Sequence, residues 1–284
     1  MKKFFKELGL VLLIFLIVAG VQMIIGGVLG AMTVLNDKFN PMNWILILPN
    51  LVLIILFMIY NKVGHKEHFK QYVNKKDLMY SFLIGATYTG IGVGFTQLLQ
   101  KLMGGAYDTS MSNEYVKQLT GMLESMNLVA LFIGVAIFAP IAEEFFFRGI
   151  LFERSKNIVS PKTAAIVSAL AFGFIHFNIL QGSNAFILGL LFAYIYHNTG
   201  TIYAPIFAHL GNNFVALVIG NILQVSPIIG FSLMGINVIL FIILFYKFHK
   251  KHKNKAWLNF TPFSFVFNTK ISFAKTFCCC ILFS

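Results

Sequence analysis

Two adjacent glutamates interrupt an otherwise apolar run, Phe138-Ala139-Pro140-Ile141-Ala142-Glu143-Glu144-Phe145-Phe146-Phe147-Arg148. On a helix, neighbouring residues point about 100° apart, so the two carboxylates face different surroundings and do different jobs. Arg148 lies four residues beyond Glu144 and meets it on one face as an ion pair. Glu143 has no such local partner, so a group on another helix must satisfy it. Pro140 lacks an N–H and weakens the backbone ladder just before the pair, which opens room for water.

Two histidines stand in similar company. His176 closes Phe172-Gly173-Phe174-Ile175-His176, and His209 opens His209-Leu210-Gly211-Asn212-Asn213. Both read as lying within apolar helices, and Asn213 shares a helix face with His209. The other five differ. His65, His68, His249 and His252 fall among lysines and read as solvated, while His197 reads as an interfacial or capping residue.

A carboxylate, two imidazoles and a carboxamide around one cavity suit hydrolysis. Glu143 can act as general base on a water, with His176 orienting that water or sharing its proton. His209 and Asn213 can donate hydrogen bonds to the oxyanion formed when a peptide carbonyl is attacked. No serine, cysteine or threonine stands out as a nucleophile, so direct attack by water is the simpler route. Glu143, His176 and His209 are also a ligand set for catalytic zinc, although the HExxH spacing is absent. A proton- or ion-coupled transporter buries the same residue types, but no inverted repeat with paired broken helices is visible. A non-catalytic membrane scaffold is the third reading. For Glu144 and Arg148, a structural pair that pins helices is the stronger reading. Taken singly, each histidine fits a buried hydrogen-bonding role as well as a catalytic one.

The elements that must position these groups follow from composition. The chain has 284 residues, of which 58% are hydrophobic and 11% charged, and its mean hydropathy is +0.79. Soluble domains carry about 25% charged residues. A soluble enzyme, a disordered chain and a disulfide scaffold are excluded, and an all-α polytopic membrane protein is expected. The net charge of +12 is a matter of placement. Lysines cluster at Lys2–Lys6, Lys62–Lys76 and Lys247–Lys255, each beside an apolar run. That is the positive-inside pattern together with attraction to anionic lipid, and not a nucleic-acid surface. Cys278, Cys279 and Cys280 are consecutive, so they offer no spaced disulfide or metal framework.

Apolar runs predict eight spans, at 8–34, 42–60, 78–100, 128–147, 163–180, 184–199, 201–221 and 227–246. The first begins like a signal peptide but lacks a small-x-small cleavage site and reads as an uncleaved helix. Its Gly26 and Gly30 form a GxxxG, a weak pointer to close helix packing. With both termini cytoplasmic, the inner segments hold the three lysine clusters plus Arg148, Arg154, Lys156 and Lys162. The outer segments then hold only Lys38, Lys101 and Lys117. Counting from cytoplasmic ends at 1.5 Å per residue puts Glu143 at roughly 6 Å, His209 at roughly 12 Å, Asn213 at roughly 18 Å and His176 at roughly 20 Å. All four fall in the inner half of the bilayer, with Glu143 the poorest fit. The outer loop 101–127 suggests no chemistry. Four regions are expected: N-terminal helices and outer loop over 1–127, catalytic helices over 128–222, a last helix with a basic end over 223–255, and an atypical Phe- and Cys-rich tail over 256–284. The tail reads as lying outside the evolved fold.

The ordered set Glu143-Glu144-x-x-x-Arg148, Phe172-x-x-x-His176 and His209-x-x-x-Asn213 resembles the CPBP family. These are the CAAX-protease and bacteriocin-processing intramembrane peptidases, also called Abi. The stretch His197-Asn198-Thr199-Gly200-Thr201-Ile202-Tyr203-Ala204-Pro205-Ile206 adds to the likeness, which covers roughly residues 128–222. The resemblance implies an eight-span helical fold and glutamate-dependent peptide cleavage in the membrane. It implies catalytic roles for Glu143, His176, His209 and Asn213, with Glu144 and Arg148 completing the first motif. It further implies a membrane-embedded or membrane-associated peptide or protein substrate, the lipid bilayer as partner, and no nucleic acid. Eukaryotic members trim prenylated CAAX proteins, and some bacterial members serve in self-immunity against bacteriocins. Members are often named metalloproteases, but zinc and metal-free mechanisms stay equally open on the residues alone.

Overall fold

The computed structural model describes residues 2–36, 38–64, 74–103, 121, 125–176 and 178–252. Every regular element among them is a helix. In chain order these are α1 (Lys2–Leu35), α2 (Met42–Ile45), α3 (Leu48–Gly64), α4 (Lys75–Met103), α5 (Leu128–Ser155), α6 (Pro161–Phe174), α7 (Ile179–Thr199), α8 (Tyr203–Val225) and α9 (Pro227–Lys251). Six stretches among the described residues are long and apolar enough to cross a bilayer: Phe5–Leu35, Met42–Lys62, Lys75–Met103, Leu128–Ser155, Ile179–Thr199 and Ile228–Lys251. The protein is an all-α polytopic membrane protein. Most of the outer loop 101–127 and all of the tail 256–284 lie outside the described residues.

Local chemistry sets several boundaries. Asn127 caps α5, its side chain accepting from the Val129 and Ala130 N–H groups. Ser160 does the same for Thr163 at the start of α6, with Pro161 in the first turn, where a missing N–H costs nothing. Gly200 ends α7 at φ 74°, a left-handed conformation that glycine adopts without strain.

α5 runs well past the expected end at Phe147 and carries two wide, π-helical stretches, Phe132–Phe138 and Phe145–Phe152. Glu143 and Glu144 occupy the α-helical turn between them, Ala139–Glu144. Pro140 accounts for the first wide stretch. Its ring crowds the carbonyl four residues back, and the ladder shifts so that the Ala139 N–H reaches the Gly134 carbonyl. Because α5 continues to Ser155, Glu143 lies about 18 Å from that end rather than 6 Å.

A second difference concerns His176. The sequence suggests one apolar helix over 163–180, but α6 stops at Phe174 and His176 lies in the turn that follows. The competing signal is Asn178, whose side chain accepts from the Leu180 and Gln181 N–H groups and starts α7 five residues earlier than expected. At 14 residues α6 is about 21 Å long, shorter than a bilayer core of about 30 Å. It forms an antiparallel hairpin with α7, pressed together where a Cβ on Gly173 would strike the Gly182 carbonyl.

His249 and His252 are not in a solvated loop. α9 continues through Lys251, so His249 meets the Tyr194 hydroxyl at 2.7 Å and His252 lies 3.3 Å from Asp77. Lys251 also pairs with Asp77 at 2.6 Å, tying the end of α9 to the start of α4. Among the described residues the GxxxG of α1 makes no close packing: a Cβ at Gly26 or Gly30 would meet nothing within 4 Å. The intimate crossing is between α4 and α8. There a Cβ on Gly85 would collide with the Ala208 backbone, and one on Gly211 with the Phe82 carbonyl.

Candidate active site

The charged centre forms where α5, α7 and α8 meet. Arg148 Nη1 donates to Glu144 Oε1 at 2.7 Å, with both side chains fully buried. This is the ion pair that the i,i+4 spacing predicts. Arg148 Nη2 donates to the Gly189 carbonyl at 2.9 Å. The absence of a side chain at Gly189 matters, because a Cβ there would sit 3.3 Å from Nη2 and 3.0 Å from the Ala169 Cα. The guanidinium also rests over the rings of Phe172 at 4.9 Å and Phe192 at 5.3 Å, a cation–π arrangement that is strongest away from water. A buried charge is tolerated only when paired in this way.

His209 connects the two glutamates. Its Nδ1 lies 3.0 Å from Glu144 Oε1 and its Nε2 3.7 Å from Glu143 Oε2. Since a carboxylate only accepts, Nδ1 carries the hydrogen that goes to Glu144. His209 thus faces Glu143 from another helix, and pairs with it only when Nε2 also carries a hydrogen. The two carboxylates differ in access: Glu144 is sealed, while 28% of the Glu143 side chain is exposed. Close crossing at Gly85 and Gly211 holds this stretch of α8 against α4 and so sets the height of His209.

His176 approaches from the turn after α6, near enough to Glu143 for their charges to interact. Its Nδ1 lies 2.8 Å from the Phe172 carbonyl. A carbonyl cannot donate, so Nδ1 carries the hydrogen and Nε2 of the neutral ring is an acceptor. Phe172 stands edge-on to both imidazoles, with ring centres 5.2 Å from His176 and 5.6 Å from His209. Asn213 lies one turn beyond His209. Its Nδ2 donates to the Val135 carbonyl at 2.9 Å, and its Oδ1 accepts from Asn212 at 3.1 Å.

The six residues singled out in the sequence therefore come from two helices, α5 and α8, and from the turn after α6. Sequence reading missed the wall around them. Phe172 was visible as the residue four before His176, and Asn212 as a second amide in an apolar helix. The Gly189 and Val135 carbonyls leave no trace in side-chain pattern.

Zinc requires Glu143, His176 and His209 to converge on one point. Among the described residues no three His, Cys, Asp or Glu side chains are grouped to hold a metal. Each imidazole donates from Nδ1, to Glu144 or to the Phe172 carbonyl, and so leaves Nε2 as the nitrogen a metal would take. As the side chains stand they do not converge on one point, and no step below is routed through a metal.

Residues 125–215, the stretch from the start of α5 into α8, match the model of one family, the type II CAAX prenyl endopeptidase Rce1-like proteins. The similarity is confined to this segment, less than half of the chain. The matched stretch holds all six site residues and the motifs that carry the CPBP resemblance. Within the curated proteins, "Putative membrane peptidase YdiL" of Bacillus subtilis (strain 168) is 34% identical over 109 residues. That alignment covers 38% of this chain and 43% of the relative, so the likeness spans less than half of either. No solved structure matches the chain.

Proposed function

We propose that the protein is an intramembrane endopeptidase in which Glu143 and His176 activate water against a peptide carbonyl. The observation that carries this reading is the convergence of Glu143 and Glu144 on His209 from another helix, with only Glu143 open to a substrate. The Rce1-like segment supports peptide hydrolysis as the reaction class.

Hydrogen-bond polarity supports the following division of roles. His176 Nε2, an acceptor, and the partly exposed Glu143 carboxylate hold the water and take its proton. The water oxygen forms a bond to the carbonyl carbon, and negative charge develops on the carbonyl oxygen. That oxyanion accepts from the second Nδ2 hydrogen of Asn213. It also accepts from His209 Nε2, which donates only when the ring is an imidazolium because Nδ1 is committed to Glu144. Collapse breaks the carbon–nitrogen bond, and the proton held by Glu143 passes to the leaving amine. The buried Glu144–Arg148 pair touches no reacting atom and holds His209 in place.

The substrate is a membrane-embedded or membrane-associated peptide or protein, and the enzyme sits in the cell membrane with both termini cytoplasmic. CAAX-like processing and self-immunity against bacteriocins are the two settings the resemblance offers. A comparison of membrane and secreted peptides from cells bearing the wild type or Glu143→Gln tests the reading. Fragments that vanish in the variant are expected, and identical peptide sets would sink it. A transporter would instead show substrate-dependent proton or ion uptake in liposomes.

A further inference from the structure

A row of polar groups leads away from Asn213 towards α4. The Thr89 hydroxyl lies 3.4 Å from Asn212 Oδ1 and 3.3 Å from the Asn212 carbonyl oxygen. Asn212 Nδ2 donates to Asn213 Oδ1, and Asn213 Nδ2 donates to the Val135 carbonyl. Thr89 is buried, at 4% exposure. The row crosses the tight α4–α8 contact that Gly85 and Gly211 permit.

The direction of every bond in this row is determined. A carboxamide turned over exchanges its donor and acceptor ends at almost no steric cost, so its partners decide which way it points. The Val135 carbonyl can only accept, so Asn213 turns its N–H edge to Val135 and its oxygen to Asn212. Asn212 then donates from Nδ2 and presents its oxygen to Thr89, whose hydroxyl donates. One hydrogen of Asn213 Nδ2 is used on Val135, and the second is left for a ligand.

We propose that Thr89 and Asn212 are positioning residues, which hold the Asn213 carboxamide with its N–H edge towards the reacting carbonyl. The proposal rests on the peptidase reading. Neither residue touches substrate. Thr89 acts through Asn212, and Asn212 acts through Asn213.

The full chain, purified in detergent and given a peptide whose cleavage requires Glu143, provides the assay. Removing an oxyanion donor costs about 10²–10³ in kcat, which is the loss expected for Asn213→Ala. Asn212→Asp, which can only accept, turns Asn213 over and should approach that loss. Thr89→Val should lower kcat about tenfold with KM within about twofold, since the bond acts only on the transition state. Thr89→Ser should restore activity, and Thr89→Val should cost nothing further in an Asn213→Ala background. Wild-type kcat in Asn212→Asp beside a disabled Asn213→Ala would overturn the relay, as would additive losses in the double variant. Failure to find any peptide whose cleavage is lost in Glu143→Gln would instead count against the peptidase reading. A readout independent of turnover is thermal unfolding of Thr89→Val, Asn213→Ala and the double variant. Coupling between these two sites is expected, and strict additivity would overturn the relay.

Discussion

Glu144 is sealed between Arg148 and His209, whereas its neighbour Glu143 keeps 28% of its side chain exposed and lies 3.7 Å from the His209 Nε2. Both stand in the same helical turn, between the same wide stretches of α5. The 100° step from one to the next leaves the first part-exposed and sends the second against Arg148, whose guanidinium rests on Phe172, Phe192 and the Gly189 carbonyl. On the proposed peptidase reading, the part-exposed carboxylate is the one available for chemistry, while the buried one is committed to Arg148 and to the histidine between them.

Four substitutions break or sharpen this contrast. Glu143→Gln should have the largest effect on turnover, about 10²–10⁴-fold in the rate of peptide cleavage, with the thermal unfolding midpoint in detergent unmoved. Arg148→Met should do the reverse to the fold. It leaves Glu144 charged and unpaired, a change that costs about 3–5 kcal/mol and is read as a lower unfolding midpoint or reduced yield. If the Glu143 variant unfolded as easily as the Arg148 variant, the division between the two glutamates would collapse. Gly189→Ala pushes a methyl against Arg148 and the Ala169 backbone; overpacking of this kind costs about 1–3 kcal/mol, read by the same unfolding assay. The smallest effect belongs to Gly26→Ala on α1, where the added methyl meets nothing. A change of less than about 0.5 kcal/mol is expected there, and a clear loss would mean that α1 is packed in the working protein.

Much of the centre could be read before any coordinates. The spacing of Glu144 and Arg148 predicted their bond, and the lack of a local partner for Glu143 predicted help from another helix. His176 was harder. Ile175, His176 and Phe177 prolong an apolar run, and periodicity by itself carries the helix straight through them. The capping oxygen of Asn178 overrides that pattern by taking two N–H groups of the next helix. His249 and His252 were misjudged for a related reason. A lysine-rich stretch reads as solvated, yet α9 holds its last turn against Tyr194 and Asp77. The glycines divide in the same way: Gly26 and Gly30 have the motif and no neighbour, while Gly85 and Gly211 have a neighbour and no motif.

Composition and order along the chain determined that this protein lives in a membrane, that it is helical, and which polar residues break the apolar runs. These follow from local quantities, namely the cost of charge in hydrocarbon and the reach of one helical turn. Only the tertiary structure decided which glutamate stays open, which imidazole nitrogen carries the hydrogen, and which backbone carbonyls at Val135, Phe172 and Gly189 complete the site. Those depend on where separate helices cross, and a backbone oxygen that receives a hydrogen bond leaves no mark on the side chains that a sequence records.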